Sequence, residues 1–336
     1  MKRQIRVRLE LFGGLVTDPR RIEEFESDPN SLEPAIEDLA MNSSLTPISP
    51  PLTPFQYFAK QTFNAFNTNK TSWIGLGIFV LILLLALLAP WIAPFDPTDQ
   101  NILEKLRSPS AEHWLGTDSF GRDTLSRVLY GARISLVIGI VSTIAAMVIG
   151  TAIGMLAGWH GGRLDTVTMQ TMDVLLAFPS LILGLILVAM LGPSMTNIII
   201  AIALTSIPPF ARIARAPTIS VKEREFVEAC RALGYSDARI IIVHILPNIL
   251  PEILVMGSLW LANAIRTEAS LAFVGLGVKP PIATWGGMIR EGFENILDSY
   301  WLALTPGIAI LIVIFALNLL GDGLRDAIDP KLKGET

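Results

Sequence analysis

Long apolar stretches alternate with short polar ones along most of this chain. The runs at 73–93, 134–157, 167–191, 197–213, 249–276 and 301–320 are dominated by Leu, Ile, Val, Ala and Gly. A helix needs about 20 such residues to cross roughly 30 Å of hydrocarbon, and backbone polar groups in lipid must be satisfied within the segment. The pattern therefore predicts an all-α membrane protein with six transmembrane helices. Trp73 and Trp91 stand where interfacial aromatics are expected. Gly150, Gly154 and Gly158, spaced by four, share one helix face and permit close approach of a neighbour.

Two of these runs are interrupted. Phe178-Pro179 breaks the third, and Pro208-Pro209 should kink or end the fourth. Broken helices are tolerated at membrane depth where they border protein or a water-filled cavity, so Pro208 and Pro209 are candidates for a path through the bundle. The fifth run carries Arg266 and Glu268. Ionisable residues are costly there and usually face the bundle interior or a cavity, which suggests a structural or gating role ahead of ligand contact.

The chain ahead of the first run reads differently. Ile5, Val7, Leu9 and Leu11 alternate with charged residues, a strand-like period. From Asp18 to Asp38 there are eight acidic residues, and four prolines follow between Pro47 and Pro54. Residues 1–54 are thus expected to be a largely disordered acidic extension. Phe55, Phe58, Phe63 and Phe66 recur at helical spacing, which predicts an interfacial helix over 55–72. The membrane domain then occupies 73–330, with a tail at 331–336.

Composition agrees with a membrane chain: of 336 residues, 51% are hydrophobic and 17% charged. The distribution of charge matters more than its sum. With the N-terminus inside, the inner segments hold eighteen Lys/Arg against seven in the outer loops at 94–133 and 277–300. Positive residues favour the cytoplasmic side, so both termini are expected there. No cleaved signal peptide is expected, because the first apolar run starts near Trp73. A single cysteine, Cys230, excludes an intramolecular disulfide.

One charged stretch stands apart, SVKEREFVEACRALGYSDARIIIVHILP at 220–247. It reads as two short helices joined by a tight turn. Ser220 followed by Glu223 is a capping-box signature for the first. Phe226, Ala229, Cys230 and Leu233 would give that helix an apolar stripe. Gly234 suits a left-handed helix end, Ser236 can cap the next helix, and Pro247 opposes simple continuation. An ordinary basic hairpin would share some of these features.

Glu228-Ala229-Cys230, then Gly234, then Leu246-Pro247 resembles the Glu-Ala-Ala loop of membrane subunits of ABC importers. Cys230 replaces the usual second alanine, and His244 stands where isoleucine is common. The His-Ile-Leu-Pro-Asn ending is similar to the dipeptide, oligopeptide and nickel branch. So is 115–133, with its Gly-Thr-Asp, Gly-Arg-Asp and Tyr-Gly-Ala-Arg, and so are the loop after the fifth run and the ending at 321–326. The resemblance implies the second, C-type permease of the pair, with the type I importer permease fold and a cytoplasmic coupling helix. The implied partners are a second homologous permease, two ATPase subunits, an external substrate-binding protein and membrane lipid. It further implies that Glu228, Ala229, Cys230, Gly234, Leu246 and Pro247 belong to the ATPase contact, with transport of peptides or a related small solute, nickel among them, by alternating access in the inner membrane.

Other chemistry finds little support. No GxxxxGK[ST] loop is present to cradle nucleotide phosphates, so the chain is not expected to hydrolyse ATP. His113, His160 and His244 lie in separate segments without an HExxH or GxSxG arrangement, so neither catalysis, a metal nor a cofactor is expected. Asp118, Arg122, Asp123 and Arg127 are expected to form solvated ion pairs on a short surface helix. An ion-coupled secondary transporter is the alternative; it would normally use midplane carboxylates and often inverted repeats, whereas Glu268 is the one clearly intramembrane carboxylate. Nothing points to nucleic acid.

Overall fold

The structure, a computed structural model, describes residues 59–60, 62–63, 65–67 and 70–326. The extension at 1–54, its strand-like alternation and the tail at 331–336 lie outside the described residues. Within the expected interfacial helix, the described positions of 59–67 are helical. Phe66 is buried there and Phe63 exposed, and both meet the Trp73 ring edge-on.

Nine helices carry the described fold: α1 (Lys70–Ile92), α2 (Thr124–His160), α3 (Gly162–Ala177), α4 (Ser180–Leu191), α5 (Met195–Lys222), α6 (Glu225–Ala232), α7 (Asp237–Leu276), α8 (Trp285–Glu294) and α9 (Trp301–Asp326). Five of them, α1, α2, α5, α7 and α9, are long and apolar enough to cross a membrane. The pair α3 and α4, bent by 88° at Phe178-Pro179, makes a sixth if taken as one broken span. Proline at 179 lacks the donor a continuous helix would need, and the residue before it is extended, with ψ 134°.

Several helices exceed their apolar runs. α2 begins ten residues ahead of the run at 134, because Asp123 caps it by accepting from the Ser126 amide. Pro208 and Pro209 do not end α5, which continues through Pro217 to Lys222. Pro247 does not interrupt α7 either. A π-helical stretch at Ile240–Ile245 comes immediately before it, and the Leu246 amide bonds Ile241 rather than the carbonyl four back. That wider turn absorbs the missing proline donor, so the fifth helix starts at Asp237 rather than 249.

α2 is the axis of the bundle. It packs along α5 more extensively than any other pair, and α7 and α1 lie on its other sides. The three aligned glycines explain the first contact. A side chain at Gly150 would overlap the Ile207 carbonyl, and one at Gly154 the Ala211 carbonyl, so backbone meets backbone there. α9 packs on α1, α7 and α8. Large apolar side chains left exposed on α1 and α9, such as Leu81, Leu87, Leu311 and Phe315, suit a lipid or protein environment.

Candidate functional site

α6 hangs between the ends of α5 and α7. Ser220 does not cap it, as the sequence suggests, but lies inside α5; Arg224 takes the N-cap position without a side-chain bond. The helix ends as expected. Gly234 has φ 77°, its amide bonds the Arg231 carbonyl, and the Tyr235 amide reaches back to Cys230. These two bonds make a Schellman ending, which glycine accommodates without strain. Ser236 sits at the N-cap of α7 but makes no side-chain cap bond.

The buried face of α6 differs from the expected stripe. Val227 and Cys230 point into the core with Trp159, Ile240 and Ile245. Glu228 and Ala229 are exposed, Phe226 is partly so, and Leu233 is 72% exposed. Packing chose the 227/230 edge, leaving an apolar and acidic face uncovered. Its seat is Trp159 at the end of α2. The Arg231 guanidinium lies 4.5 Å from that ring's centre, and Lys222 donates to the Trp159 carbonyl at 2.5 Å. Beside it, Asp165 of α3 accepts two bonds of 2.5 Å from Arg215 of α5. Leu246 and Pro247 are half-buried in α7, one helix on from the exposed face.

A polar cluster occupies the opposite end of α2. Asp118, Arg122, Asp123 and Arg127 are each at most 5% exposed, so they are not the solvated pairs expected from sequence. Asp118 Oδ2 meets Arg122 Nε at 2.6 Å and Arg127 Nε at 3.1 Å. Glu291 of α8, which sequence reasoning missed, receives both arginines at 3.1 and 3.3 Å. Asp123 is consumed as the cap of α2, so two buried arginines share Asp118 and need this further carboxylate, which no local pattern at 118–127 announces. Loop 93–123 is folded tightly against this cluster. Gly121, with φ 74°, is pressed against the Asn101 carbonyl, where no side chain fits. A cleft of about 890 Å³ opens beside it, lined in part by Arg122, Lys279, Arg290 and Glu291.

Glu268 and Arg266, only two residues apart on α7, diverge. Glu268 is 1% exposed and its Oε2 accepts from Ser135 of α2 at 3.1 Å. Ser135 Oγ also accepts from the Trp285 amide at 3.2 Å, which joins α8 to the same point. Arg266 is exposed and donates to Asn263 at 2.5 Å. Pro208 is buried and Pro209 half-buried, beside Gly150. Ser135 and Gly150 lie about 22 Å apart along α2, so the prolines and Glu268 do not form one site.

Comparison with known proteins gives two matching families. The one described as "Binding-protein-dependent transport system inner membrane component" matches residues 150–334. That described as "N-terminal TM domain of oligopeptide transport permease C" matches 50–109. The dipeptide transport system permease protein DppC of Alkalihalophilus pseudofirmus is 42% identical over 274 residues, 82% of this chain and 90% of that protein. The di/tripeptide transport system permease protein DppC of Pseudomonas aeruginosa is 41% identical over 293 residues, 85% of this chain and 97% of its own. A solved structure of the MetNI methionine ABC transporter, inward facing, superposes with a TM-score of 0.51 at 18% identity, covering 61% of this chain and 98% of that one.

Proposed function

The chain belongs to the binding-protein-dependent transport system inner membrane components, as a permease of the peptide-importer type, and from that premise we propose that it moves short peptides across the membrane. As a permease subunit it is not the ATPase; in this family ATP hydrolysis resides in a separate subunit. Membership also replaces the secondary-transporter alternative. Dipeptides and tripeptides are the first candidates, because the relatives carry those names. Nickel is a minor option.

In this reading α6 is the coupling helix. Its observed form carries the proposal: an eight-residue helix fixed by Val227, Cys230 and Arg231, presenting Glu228, Ala229 and Leu233 outward. An exposed leucine beside carboxylates suits a docking cleft with an apolar floor and basic rim. A family member works with another permease, an ATPase and a substrate-binding protein. We assign this chain one homologous permease, two ATPase subunits of which one docks at α6, and a binding protein at the far end of α2. ATP would close the ATPase pair, and the bundle would follow α6 into its outward-open state. Both termini lie in the cytoplasm in this arrangement, supported by the eighteen-to-seven bias of Lys/Arg.

The test is uptake of labelled di- and tripeptides into cells carrying or lacking the chain, with its ATPase and binding protein present. Import should depend on the chain. Peptide import unchanged by its deletion, or ATP hydrolysis by the chain free of partners, overturns the reading. A cytoplasm-specific reporter after Thr336 should be active, and one near Asp99 silent.

A further inference from the structure

We propose that Glu104, Glu112 and His113 form a binding site for a first-row divalent metal ion, Zn²⁺ foremost, in the loop ahead of α2. The three donor atoms, one from each side chain, lie within 4.8 Å of one another. Histidines alone gave no such cluster in the sequence, since the other two ligands are carboxylates.

The imidazole is prepared for a ligand role. His113 is 4% exposed and its ring packs 4.7 Å from that of Phe95. Nδ1 meets Asp123 Oδ1 at 2.8 Å. Asp123 Oδ2 already accepts from the Ser126 amide and hydroxyl, both at 2.8 Å, as cap of α2. An ionised carboxylate only accepts, so the ring must carry its proton on Nδ1. In the neutral ring Nε2 then keeps its lone pair for a metal, in the carboxylate–histidine arrangement that orients metal ligands.

The carboxylates are placed to meet it. Glu104 Oε1 is held by Arg107 at 2.8 Å, and its Oε2 stands 3.5 Å from His113 Nε2. That separation is long for a hydrogen bond to a carboxylate. It is close to the edge of a tetrahedron around Zn²⁺, roughly 3.3 Å for bonds near 2.0–2.1 Å. Glu112, on the exposed side, needs only a side-chain adjustment to supply the third ligand, and water or an incoming group would complete the shell. One imidazole with two carboxylates suits Zn²⁺, Mn²⁺ or Ni²⁺ better than Mg²⁺, which keeps most of its waters. Two acidic ligands against one neutral one also balance the ion's charge. Such an ion would tie residues 102–104 to the cap of α2, at the end of the bundle opposite α6.

The full-length chain in neutral-lipid nanodiscs is titrated with Zn²⁺, and separately with Co²⁺ while visible absorption is followed. Wild type, Glu112→Gln and His113→Gln are compared; Glu112 is exposed, so its variant should keep the fold, checked by thermal unfolding. Wild type should bind one Zn²⁺ more than Glu112→Gln, with affinity at least about tenfold higher. Co²⁺ should give a ligand-field band that both variants lose, and millimolar Mg²⁺ should not displace Zn²⁺. Binding that is equal in wild type and Glu112→Gln, or absent from wild type, overturns the site.

Discussion

The Arg231 guanidinium lies 4.5 Å over the Trp159 indole, so a residue of α6 rests on the last turn of α2. Together with the buried Val227 and Cys230, this contact braces α6 against the core. A cation over an indole contributes about 0.5–2 kcal/mol, depending on desolvation. Arg231→Gln should therefore reduce peptide-stimulated ATPase activity of the assembled complex by about 2- to 30-fold, while Arg231→Lys retains part of it. Full activity in Arg231→Gln would show that the stacking does not position α6.

Gly234 tests the same helix through its backbone. Nothing lies within 4 Å of where a side chain would go, so a substitution there is resisted by φ alone. Gly234→Val should cost about 1–2 kcal/mol locally and lower uptake strongly, whereas Gly234→Asn should be milder. Glu228→Lys, which reverses an exposed charge, should lower stimulated ATPase without altering the chain's own thermal stability. Cys230→Ala should remain close to wild type. If Gly234→Val and Glu228→Lys both transport normally, α6 is not the coupling element.

Gly154 and Gly158 should separate cleanly. A methyl group at 154 would overlap the Ala211 carbonyl, while one at 158 would come 3.0 Å from the Arg215 carbonyl. Gly154→Ala is expected to cost about 1–3 kcal/mol or more, as an overpacked contact, and to lower the thermal midpoint visibly. Gly158→Ala should shift it less. Equal midpoints for the two would contradict the α2–α5 packing.

The buried cluster makes a stability prediction. Glu291→Gln removes the carboxylate shared by Arg122 and Arg127, both at most 5% exposed, and should destabilise the loop end by about 3–5 kcal/mol. Glu294→Gln breaks only the exposed pair with Arg290 and should cost under about 1 kcal/mol. Protease susceptibility of loop 93–123 reads both. Indistinguishable cleavage would remove the cluster's structural role.

Apolar runs and glycine spacing were enough to locate the membrane helices and the α2 face that meets α5. Gly234 was legible too, because a left-handed helix end is a local property of few residues. Helix ends were less so. Asp123, Ser126 and the polar start of α2 look like loop until the cap is seen, and the proline at 247 looks like a stop until the π turn before it is seen. The misjudged charges at 118–127 share one cause. Their partner Glu291 lies more than 160 residues away, and burial by a distant helix leaves no periodic trace. The face of α6 was misread because its apolar positions run most of the way round the helix. Only tertiary packing decides that 227 and 230 turn inward.

The unbroken course of α7 has a mechanical consequence. Asp237 adjoins the turn that carries α6, and Glu268, 31 residues later, touches α2 and, through Ser135, α8. At 1.5 Å per residue that is a rod of about 46 Å with no loop along it. α5 joins the opposite end of α6 through Glu223 and Arg224, so α6 is strung between two stiff members. A tilt forced on α6 by a partner would reach the Ser135 junction as leverage, set by geometry and stiffness, without passing through a relay of rearranging side chains. Softening the rod between those points, rather than altering either end, is the change that would leave both sites intact and silent to each other.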